Sequence, residues 1–317
     1  HEAISWMIQG VLWISRQSYG MLTIGHVPFL WVLLFYFMTG LWIWKKNGQN
    51  RHIRISLAYV IMIILIWIPM ARRKSLAFLD VGQGDCFVAD TKSGAIIFDG
   101  GSSSEDQVGR YRILPYMKYL GYQKIQIAVI SHMDIDHYSG IKELLEMGKI
   151  KYLGLPEIPK DETMKKIIGI AKKRGTTIFY LSRGRQITTK DGSLKVLHPQ
   201  KNSQMEKNAA SLVMQGKILG YRVLLTGDVE KEGEEELLSE ELERADILKA
   251  AHHGSKNSTS NEFLQKVQPK QTVISCGKQN RYGHPHLETI HRLQTYHTKI
   301  YRTDRSGAII FFKRRDG

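Results

Sequence analysis

The chain has 317 residues and carries 45 Lys and Arg against 30 Asp and Glu, a net charge of +15. This length allows one core of roughly 200–250 residues plus a second segment. The two cysteines, Cys86 and Cys276, stand far apart, which excludes a disulfide framework and a cysteine-rich zinc cluster. The positive charge favours polyanions such as nucleic acid or anionic lipid head groups, although a solvated basic surface explains it equally well.

The first part of the chain, residues 1–74, contains a single acidic residue, Glu2. Two uncharged runs, Val27–Trp44 and Ile55–Ala71, each come close to the roughly 17–25 apolar residues of a transmembrane helix. We therefore predict two transmembrane helices, with a pair of fully buried core helices as the soluble alternative. The apolar spacing in residues 1–15 predicts a further amphipathic or membrane-lying helix.

The loop between the two runs sets the predicted orientation, because it holds more basic residues than the segment before the first run. These residues are Lys45, Lys46, Arg51 and Arg54, against Arg16 alone. The positive-inside rule places this loop in the cytoplasm and the residues after Ala71 outside the cell, although basic residues at 72–74 nearly balance the bias. No signal peptide is visible at the start, and we expect the sequence to be the C-terminal piece of a longer protein.

From residue 75 onward, short apolar runs alternate with Gly and Asp, which is typical of strands and turns. The predicted strands are Ser75–Leu79, Cys86–Ala89, Ala95–Phe98, Ile125–Ile130, Tyr152–Leu155, Thr177–Leu181, Ser193–His198, Ser211–Gln215, Tyr221–Leu225, Ile247–Ala250, Thr272–Ser275, Lys299–Arg302 and Ala308–Phe312. Helical periodicity predicts helices at Gln107–Leu120, Ile141–Met147, Asp161–Lys173, Lys231–Ser239, Ser260–Val267 and Leu287–Thr295. This mixture predicts an α/β fold with a sheet-on-sheet core and helices outside.

The segment SHMDIDHYSG, residues 131–140, is predicted to lie on the loop that leaves a buried strand. It carries His132, Asp134, Asp136 and His137. Imidazoles and carboxylates suit Zn²⁺, Mn²⁺ or Fe, and a loop can turn alternate residues to one ion and adjacent residues to a second. The alternative is a polar turn with helix-capping aspartates.

Two later segments also place possible metal ligands directly after a strand. Asp228 follows VLLTG, and the pair His252–His253 follows ILKAA. Taken alone, an aspartate after a strand is more often a turn residue than a metal ligand, and a His-His-Gly sequence is often only a turn. Together with residues 131–140 they predict one complete metal site.

Eight motifs carry a resemblance over residues 75–314. They are LDVGQGDCFV, IIFDGG, SHMDIDHYSG, NAASLVM, LLTGDVE, HHGSKNSTS, CGKQNRYGHPH and YRTDRSGAIIFF. In this order they resemble the C-terminal metallo-β-lactamase-like domain of ComEC-type DNA-internalization competence proteins, and the apolar runs upstream resemble the end of that family's membrane channel domain. The resemblance implies a four-layer αββα sandwich, residues 75–317, preceded by two transmembrane helices in residues 1–74.

The resemblance also implies a role for each site residue. The implied metal ligands are His132 and Asp134 for a first ion, Asp136 and His137 for a second ion, Asp228 as a bridge, and His253 rather than His252 for the second ion. For the mechanism we expect Asp136 or a bound water to handle the proton, and His252 or Ser255 to stabilise the leaving oxygen. Asp80 and Asp99 either orient ligand imidazoles or hold ordinary turns.

One departure from the family's pattern concerns the first metal. Many members of the superfamily supply a third histidine where this chain has NAASLVM, with Asn208 and Ser211, and the nearby His198 is expected at a strand end. The cofactor is therefore predicted as one or two divalent ions, Zn²⁺ or Mn²⁺, and oxygen-rich ligation favours Mn²⁺.

Several further residues are candidates for contact with a substrate, each with an ordinary structural alternative. His284 could reach a substrate phosphate, His286 fits a surface loop better, and Tyr282 could stack on a base. Two basic clusters could line a groove or could simply be solvated: Lys165, Lys166, Lys172, Lys173 and Arg174, and then Arg183, Arg185 and Lys190.

The resemblance implies a metal-dependent nuclease of a multi-pass membrane protein for DNA uptake, which degrades the non-transported strand with metal-activated water. Its implied partners are single-stranded DNA bound without sequence preference, the membrane channel domain, the lipid bilayer and other competence proteins. The hydrolase domain is expected outside the cell. The alternatives are a non-catalytic DNA-gripping module of the channel and a hydrolase of a small phosphodiester.

Overall fold

A computed structural model describes residues 2–16, 23, 25–44, 53, 56–62, 73–206, 208–240 and 242–314. Contacts between Cα atoms divide the chain into two units. One comprises residues 1–72 together with 118–123, and the other comprises residues 73–117 together with 124–317.

The first unit contains helices α1, Glu2–Arg16, and α2, Phe29–Trp44. Helix α1 forms where the apolar spacing predicts a helix. Within the described residues, no helix is both long and apolar enough to cross a membrane. Helix α2 has 16 residues, about 24 Å at 1.5 Å per residue, whereas a bilayer core is about 30 Å thick. The transmembrane helix predicted at Val27–Trp44 is therefore not seen, and the one at Ile55–Ala71 lies largely outside the described residues.

The second unit is built on two seven-stranded sheets. The strands of the first sheet are β1 Ser75–Phe78, β2 Phe87–Thr91, β3 Gly94–Phe98, β4 Ile125–Val129, β5 Ile150–Pro156, β6 Thr177–Leu181 and β14 Ile309–Phe312. The strands of the second sheet are β7 Gln186–Thr189, β8 Gly192–His198, β9 Val213–Ile218, β10 Tyr221–Leu225, β11 Ile247–Lys249, β12 Gln271–Ile274 and β13 Lys299–Arg302.

The spatial order is β14-β1-β2-β3-β4-β5-β6 in the first sheet and β13-β12-β11-β10-β9-β8-β7 in the second. Strands β3 to β6 run parallel, as do β10 to β13, and the remaining neighbours pair antiparallel. The parallel strands matter for the site, because loops at their carboxyl ends emerge at one edge of the sheet.

Helices lie between these strands. They are a π-helical turn at Gly109–Ile113, α3 Leu114–Tyr119, α4 Ile135–Glu146, α5 Glu162–Lys173, α6 Lys231–Leu238, a 3₁₀ turn at Ala251–Gly254, α7 Asn261–Val267, α8 Leu287–Thr295 and α9 Thr303–Ser306.

The core lies between the two sheets, and β10 illustrates how the sequence builds it. Side chains alternate between the two faces of a strand, so Val223 and Leu225 join the cluster shared by both sheets while Leu224 faces the other way. There Leu224 packs with Phe263 of α7 and Leu293 of α8. The predicted α/β sandwich is confirmed.

Helix α4 and strand β7 differ from the sequence prediction in ways that bear on the site or the sheet. Helix α4 begins at Ile135, six residues before the predicted start, because the backbone carbonyl of Asp134 accepts the N–H of His137 and opens the helix within a polar stretch. Strand β7 was not predicted, since QITT at the sheet edge buries only Ile187. The predicted loop position of Asp136 and His137 is therefore wrong: both lie in the first turn of a helix.

Candidate metal centre

Polar side chains from both sheets meet at the ends of their parallel strands. The first sheet supplies Asp85 before β2, Asp99 after β3, and His132, Asp136 and His137 after β4. The second sheet supplies Asp228 after β10 and His253 after β11. These seven form four overlapping groups whose ligand atoms lie within 4.8 Å of one another: His132 with His137 and Asp228, Asp136 with His137 and His253, Asp85 with Asp99 and His137, and Asp85 with Asp228 and His253.

His137 lies at the middle of the cluster and is fully buried. Its Nδ1 atom contacts Asp99 Oδ2 at 2.9 Å, while its Nε2 atom lies 3.2 Å from Asp228 Oδ2. Asp99 has φ +57° and its Oδ1 accepts the backbone N–H of Ser131 at 2.7 Å. Asp99 therefore orients both the His137 imidazole and the backbone of Ser131, the first residue of the SHMDIDHYSG segment. This geometry fits the role of orienting a ligand imidazole better than that of holding an ordinary turn.

The two adjacent histidines after β11 have different surroundings because the chain turns sharply there. His252 and His253 both adopt left-handed backbone angles, with φ of 46° and 52°, which is uncommon for residues other than glycine and often marks a functional site. His253 points inward, with Nδ1 2.9 Å from the carbonyl oxygen of Ser275 and Nε2 3.3 Å from Asp136 Oδ2. His252 lies at the rim, where Nδ1 contacts Glu230 Oε1 at 2.7 Å.

A buried lysine lies beneath the cluster. Lys249 forms an ion pair with Asp85 and lies 3.4 Å from Asp228 Oδ1, and its ammonium donates to the carbonyl of Gly227 at 2.8 Å. It thus holds one oxygen of Asp228, while the other, Oδ2, faces His137 and His253 at 3.2 and 3.4 Å.

The donor set fits a divalent metal ion. The Nε2 atoms of His132, His137 and His253 are buried and make no hydrogen bond to any described residue. Burying such atoms without a partner is costly. Neutral imidazole and carboxylate are the ligands that divalent transition metals take. These three buried nitrogens, which lie near carboxylates but form no hydrogen bond, are the observation that points to a metal.

The charges of the cluster shift one another strongly. Burial alone would lower the pKa of His253, but the carboxylates of Asp228 and Asp85 outweigh it and raise that pKa to about 10. Burial would also lower the pKa of His137, but the carboxylates of Asp228 and Asp99 raise that pKa well above its ordinary value. Burial would raise the pKa of Asp228, but His137, His253 and Lys249 hold it well below its usual range. Asp228 therefore stays a carboxylate.

A large acidic cavity opens beside this cluster, with a volume of about 1210 Å³. Asp134, next to His132, and Glu230, next to His252, line it. The other acidic residues that line it are Glu206, Glu232, Glu234, Glu235 and Glu262. The basic residues in its wall are Lys231, Lys256 and Arg292.

Residues 79–278 match the family described as "Metallo-beta-lactamase superfamily". The chain belongs to the metallo-β-lactamase superfamily. The members of this superfamily are generally metal-dependent hydrolases, and their fold holds one or two divalent ions, for which the His and Asp groups described above are the candidates in this chain.

Curated relatives of this metallo-β-lactamase domain have names from competence and recombination. The chain is 34% identical to "ComE operon protein 3" of Bacillus subtilis over 86% of its own length and 38% of that protein. It is 30% identical to "Competence protein ComA" of Neisseria gonorrhoeae over 75% and 32%, and 27% identical to "Recombination protein 2" of Haemophilus influenzae over 83% and 32%. The chain thus spans less than two fifths of each relative's length.

Among solved structures, the metallo-β-lactamase fold protein YhfI from Bacillus subtilis aligns with a TM-score of 0.51 at 12% identity. The alignment covers 74% of this chain and 99% of YhfI. At this identity the likeness shows the metallo-β-lactamase fold alone.

The structure brings together five of the six residues predicted as metal ligands: His132, Asp136, His137, Asp228 and His253. The sixth, Asp134, is in none of the four groups. Its Oδ2 lies 3.7 Å from His132 Nε2, and its side chain is 40% exposed. The predicted catalytic residue His252 lies at the rim, 3.8 Å from Asp228 Oδ2. Ser255 is buried, and its Oγ accepts the backbone N–H of Asn257 at 3.3 Å.

In the stretch where many superfamily members carry the third histidine, Ser211 Oγ accepts the backbone N–H of Asp228 at 3.2 Å. His198 does not replace it, because its ring contacts the carbonyl of Ala209 at 2.7 Å and Glu236 at 3.0 Å. Asp80 accepts the N–H of Gly82 at 3.2 Å, which fits the turn role.

Three of the surface candidates, His286, Arg183 and Lys165, have ordinary structural contacts. His286 accepts the backbone N–H of Lys256. Arg183 forms ion pairs with Glu236 and Glu240, which removes it from a substrate groove. Lys165 pairs with Glu162 on α5, whereas the other four basic residues of that cluster are exposed.

Sequence reasoning missed two residues of the cluster, Asp85 and Lys249. Asp85 is the last residue of LDVGQGD, the motif in which only the other aspartate, Asp80, was a candidate. Lys249 could have been noticed, because it is a single charge within the apolar strand ILK, and buried lysines are rare unless they are paired.

Proposed function

We propose that this chain is the metal-dependent nuclease domain of a DNA-uptake membrane protein, which hydrolyses the phosphodiesters of the non-transported strand. Hydrolase activity is supported by one observation: three histidine Nε2 atoms are buried without a hydrogen bond and lie near carboxylates supplied by both sheets. DNA as the substrate is supported by the resemblance of residues 75–314 to DNA-internalization competence proteins, and competence stands in the name of one relative, the ComA protein.

In this proposal one or two divalent ions, Zn²⁺ or Mn²⁺, are held by His132, Asp134, Asp136, His137, Asp228 and His253. A bound ion would supply Lewis-acid chemistry, which makes water more acidic and neutralises charge on a phosphate. Asp99 and the carbonyl of Ser275 fix the His137 and His253 rings so that Nε2 is presented to the ion.

The chain's own groups would move the protons. Asp136, whose Oδ2 lies in the cluster, accepts a proton from the attacking water. His252 has Nδ1 fixed by Glu230, so its Nε2 faces the cluster, and the imidazolium form can donate its Nε2 proton to the leaving oxygen. Ser255 is the weaker choice for the leaving oxygen, because its side chain is buried and already bonded to the backbone.

We also propose that residues 1–74 are the end of a membrane channel domain with two transmembrane helices, and that residues 75–317 lie outside the cell. The two uncharged runs and the basic loop between them support this arrangement. The partners would be single-stranded DNA, the channel domain, the lipid bilayer and other competence proteins.

The test uses the 317-residue chain purified in detergent, with end-labelled single-stranded DNA and Mn²⁺ or Zn²⁺. We expect cleavage that requires metal and that falls roughly 100-fold or more in Asp136→Ala. Asp106→Ala is the matched control, since Asp106 is an exposed aspartate outside the cluster. Intact DNA at full metal occupancy would contradict a nuclease and would favour a DNA-gripping module.

A hydrolase of a small phosphodiester is the second candidate, and the acidic cavity favours it for an ester with a cationic head group. Seven acidic residues face three basic ones there, which repels a polyanion and attracts a cation. No described aromatic residue lines this cavity, so it offers no cation–π cage. Hydrolysis of glycerophosphocholine at a higher kcat/KM than an oligonucleotide would establish this candidate.

A further inference from the structure

The loop that follows β12 carries a row of aromatic rings from solvent to the metal cluster. Tyr282 is 42% exposed, and its ring stacks on His284 with centroids 5.7 Å apart and planes 21° apart. The His284 ring in turn lies 5.4 Å from the ring of His252 and 6.1 Å from that of His253. The row therefore ends at the residues where the proposed chemistry occurs.

This loop is held rigidly by its own hydrogen bonds. The side-chain amide of Asn280 donates to the carbonyls of Gly277 and His284, and its oxygen accepts the N–H of His284 at 2.9 Å. The N–H of His286 donates to the carbonyl of Gly254 at 3.0 Å, which ties the loop to the turn after His253. A ligand that binds the rings would therefore order little of the chain, which favours affinity.

His284 has no structural role that accounts for its position. Its Nδ1 atom is buried and has no hydrogen-bond partner among the described residues. Its ring is stacked on that of Tyr282 and packs edge to face against that of His252, so it is presented as an aromatic group.

The charges around the cluster distinguish two rims. One rim, where His252 contacts Glu230, adjoins the acidic cavity that Glu230 lines. At the other rim Arg281 and Lys278 are exposed on the loop, and the Arg281 guanidinium lies 4.9 Å from the centre of the Tyr282 ring. A polyanionic strand is repelled by the first rim and attracted to the second.

We propose that Tyr282 and His284 form a stacking platform for an unpaired nucleobase beside the phosphodiester to be cut. This inference rests on the proposed function and narrows its substrate class to single-stranded nucleic acid. A paired base cannot expose its face to the ring, whereas every unpaired base can, so the platform binds without sequence preference. Arg281 supplies the positive charge for the adjoining phosphate.

The experiment compares Tyr282→Ala with the wild-type 317-residue chain on a 20-nucleotide oligo-dT and on an abasic strand of the same length. Loss of one stacked base corresponds to about 1–3 kcal/mol, or roughly a 5- to 150-fold rise in KM for oligo-dT. We expect kcat to change little and the abasic strand to be handled equally by both proteins. Tyr282→Phe, which keeps the ring, should restore most of the affinity.

The control is Tyr111→Ala, because Tyr111 is an exposed tyrosine in the π-helical turn, and it should leave KM unchanged. An equal KM for oligo-dT in Tyr282→Ala and wild type would overturn the platform, as would an equal loss on the abasic strand.

The Kd for labelled oligo-dT, measured in the presence of chelator, separates the platform from the nuclease proposal. If wild type binds, Tyr282→Ala binds more weakly, and neither cuts when metal is added, the nuclease fails while the platform stands. If wild type does not bind oligo-dT, the platform fails.

Discussion

At the scale of single residues, the contact made by Nδ1 of His137 and of His253 determines which ring nitrogen is available to bind a metal. Asp99 engages Nδ1 of His137, and the carbonyl of Ser275 engages Nδ1 of His253. Nε2 is then the only ring nitrogen left for a metal, and the ring cannot rotate away from it. Lys249 acts on Asp228 in a similar way, because it holds Oδ1 and leaves Oδ2 facing the histidines.

The raised pKa values predict that metal uptake releases protons. After chelation His253 is protonated at pH 7, because its pKa rises from 6.5 to about 10, and the pKa of His137 is also raised. Both must be neutral to bind a metal, so the apparent affinity for Mn²⁺ should rise with pH. Calorimetric titration at pH 7 in buffers of different ionisation enthalpy measures the protons released.

The variant His253→Ala should release fewer protons than wild type, and the exposed residue His291 gives the matched control His291→Ala. A binding enthalpy independent of the buffer would contradict the prediction. The same shift stabilises the chelated fold in full below about pH 6.5, and this contribution is lost as pH rises through about 10.

At the scale of elements, the first turn of α4 positions two predicted ligands, Asp136 and His137. This turn can lie close to the backbone at residue 101 because that residue is a glycine. A Cβ on Gly101 would stand 2.5 Å from the backbone nitrogen of His137 and 2.6 Å from the carbonyl oxygen of Ile135. Both contacts are with backbone, so neither can give way unless the whole first turn moves.

We expect Gly101→Ala to lower the free energy of unfolding by about 1–3 kcal/mol, the usual cost of overpacking. Gly169→Ala in α5 is the matched control, because a Cβ there meets nothing within 4 Å, and it should raise the free energy of unfolding by roughly 0.5–1 kcal/mol. Urea denaturation measures both. If the two substitutions had equal effects, the close approach at Gly101 would not matter.

At the scale of the whole second unit, the ligands come from two sheets. The first sheet supplies His132, Asp136 and His137, which come after its strand β4. The second sheet supplies Asp228 after β10 and His253 after β11. A metal ion at this edge would therefore join two sheets that are otherwise held together by the apolar core.

We expect Mn²⁺ at 100 times its Kd to raise the free energy of unfolding by about 2.7 kcal/mol, because only the folded chain brings the ligands together. Denaturation with and without Mn²⁺ measures the difference. His253→Ala should lose most of the stabilisation and His291→Ala should keep it. Stabilisation that survives in His253→Ala would place the metal elsewhere.

Much of the second unit could be predicted from local patterns. Most strands of both sheets were predicted within a few residues, since buried apolar runs bounded by Gly and Asp are a local signal. The start of α4 was predicted late because IDHYSG has no apolar period, and the helix is opened there by the carbonyl of Asp134. Strand β7 was missed because an edge strand buries little.

The sequence by itself determined the superfamily, the sandwich and the identity of the central histidines and aspartates, because those depend on residue order along single segments. Only the tertiary structure decided which further residues belong to the site and which do not. It brought Asp85 and Lys249 into the cluster, turned His198 away from it, and placed Tyr282 and His284 in line with His252. These relations join residues far apart in the chain, so no local spacing encodes them; they exist only once the two sheets have packed.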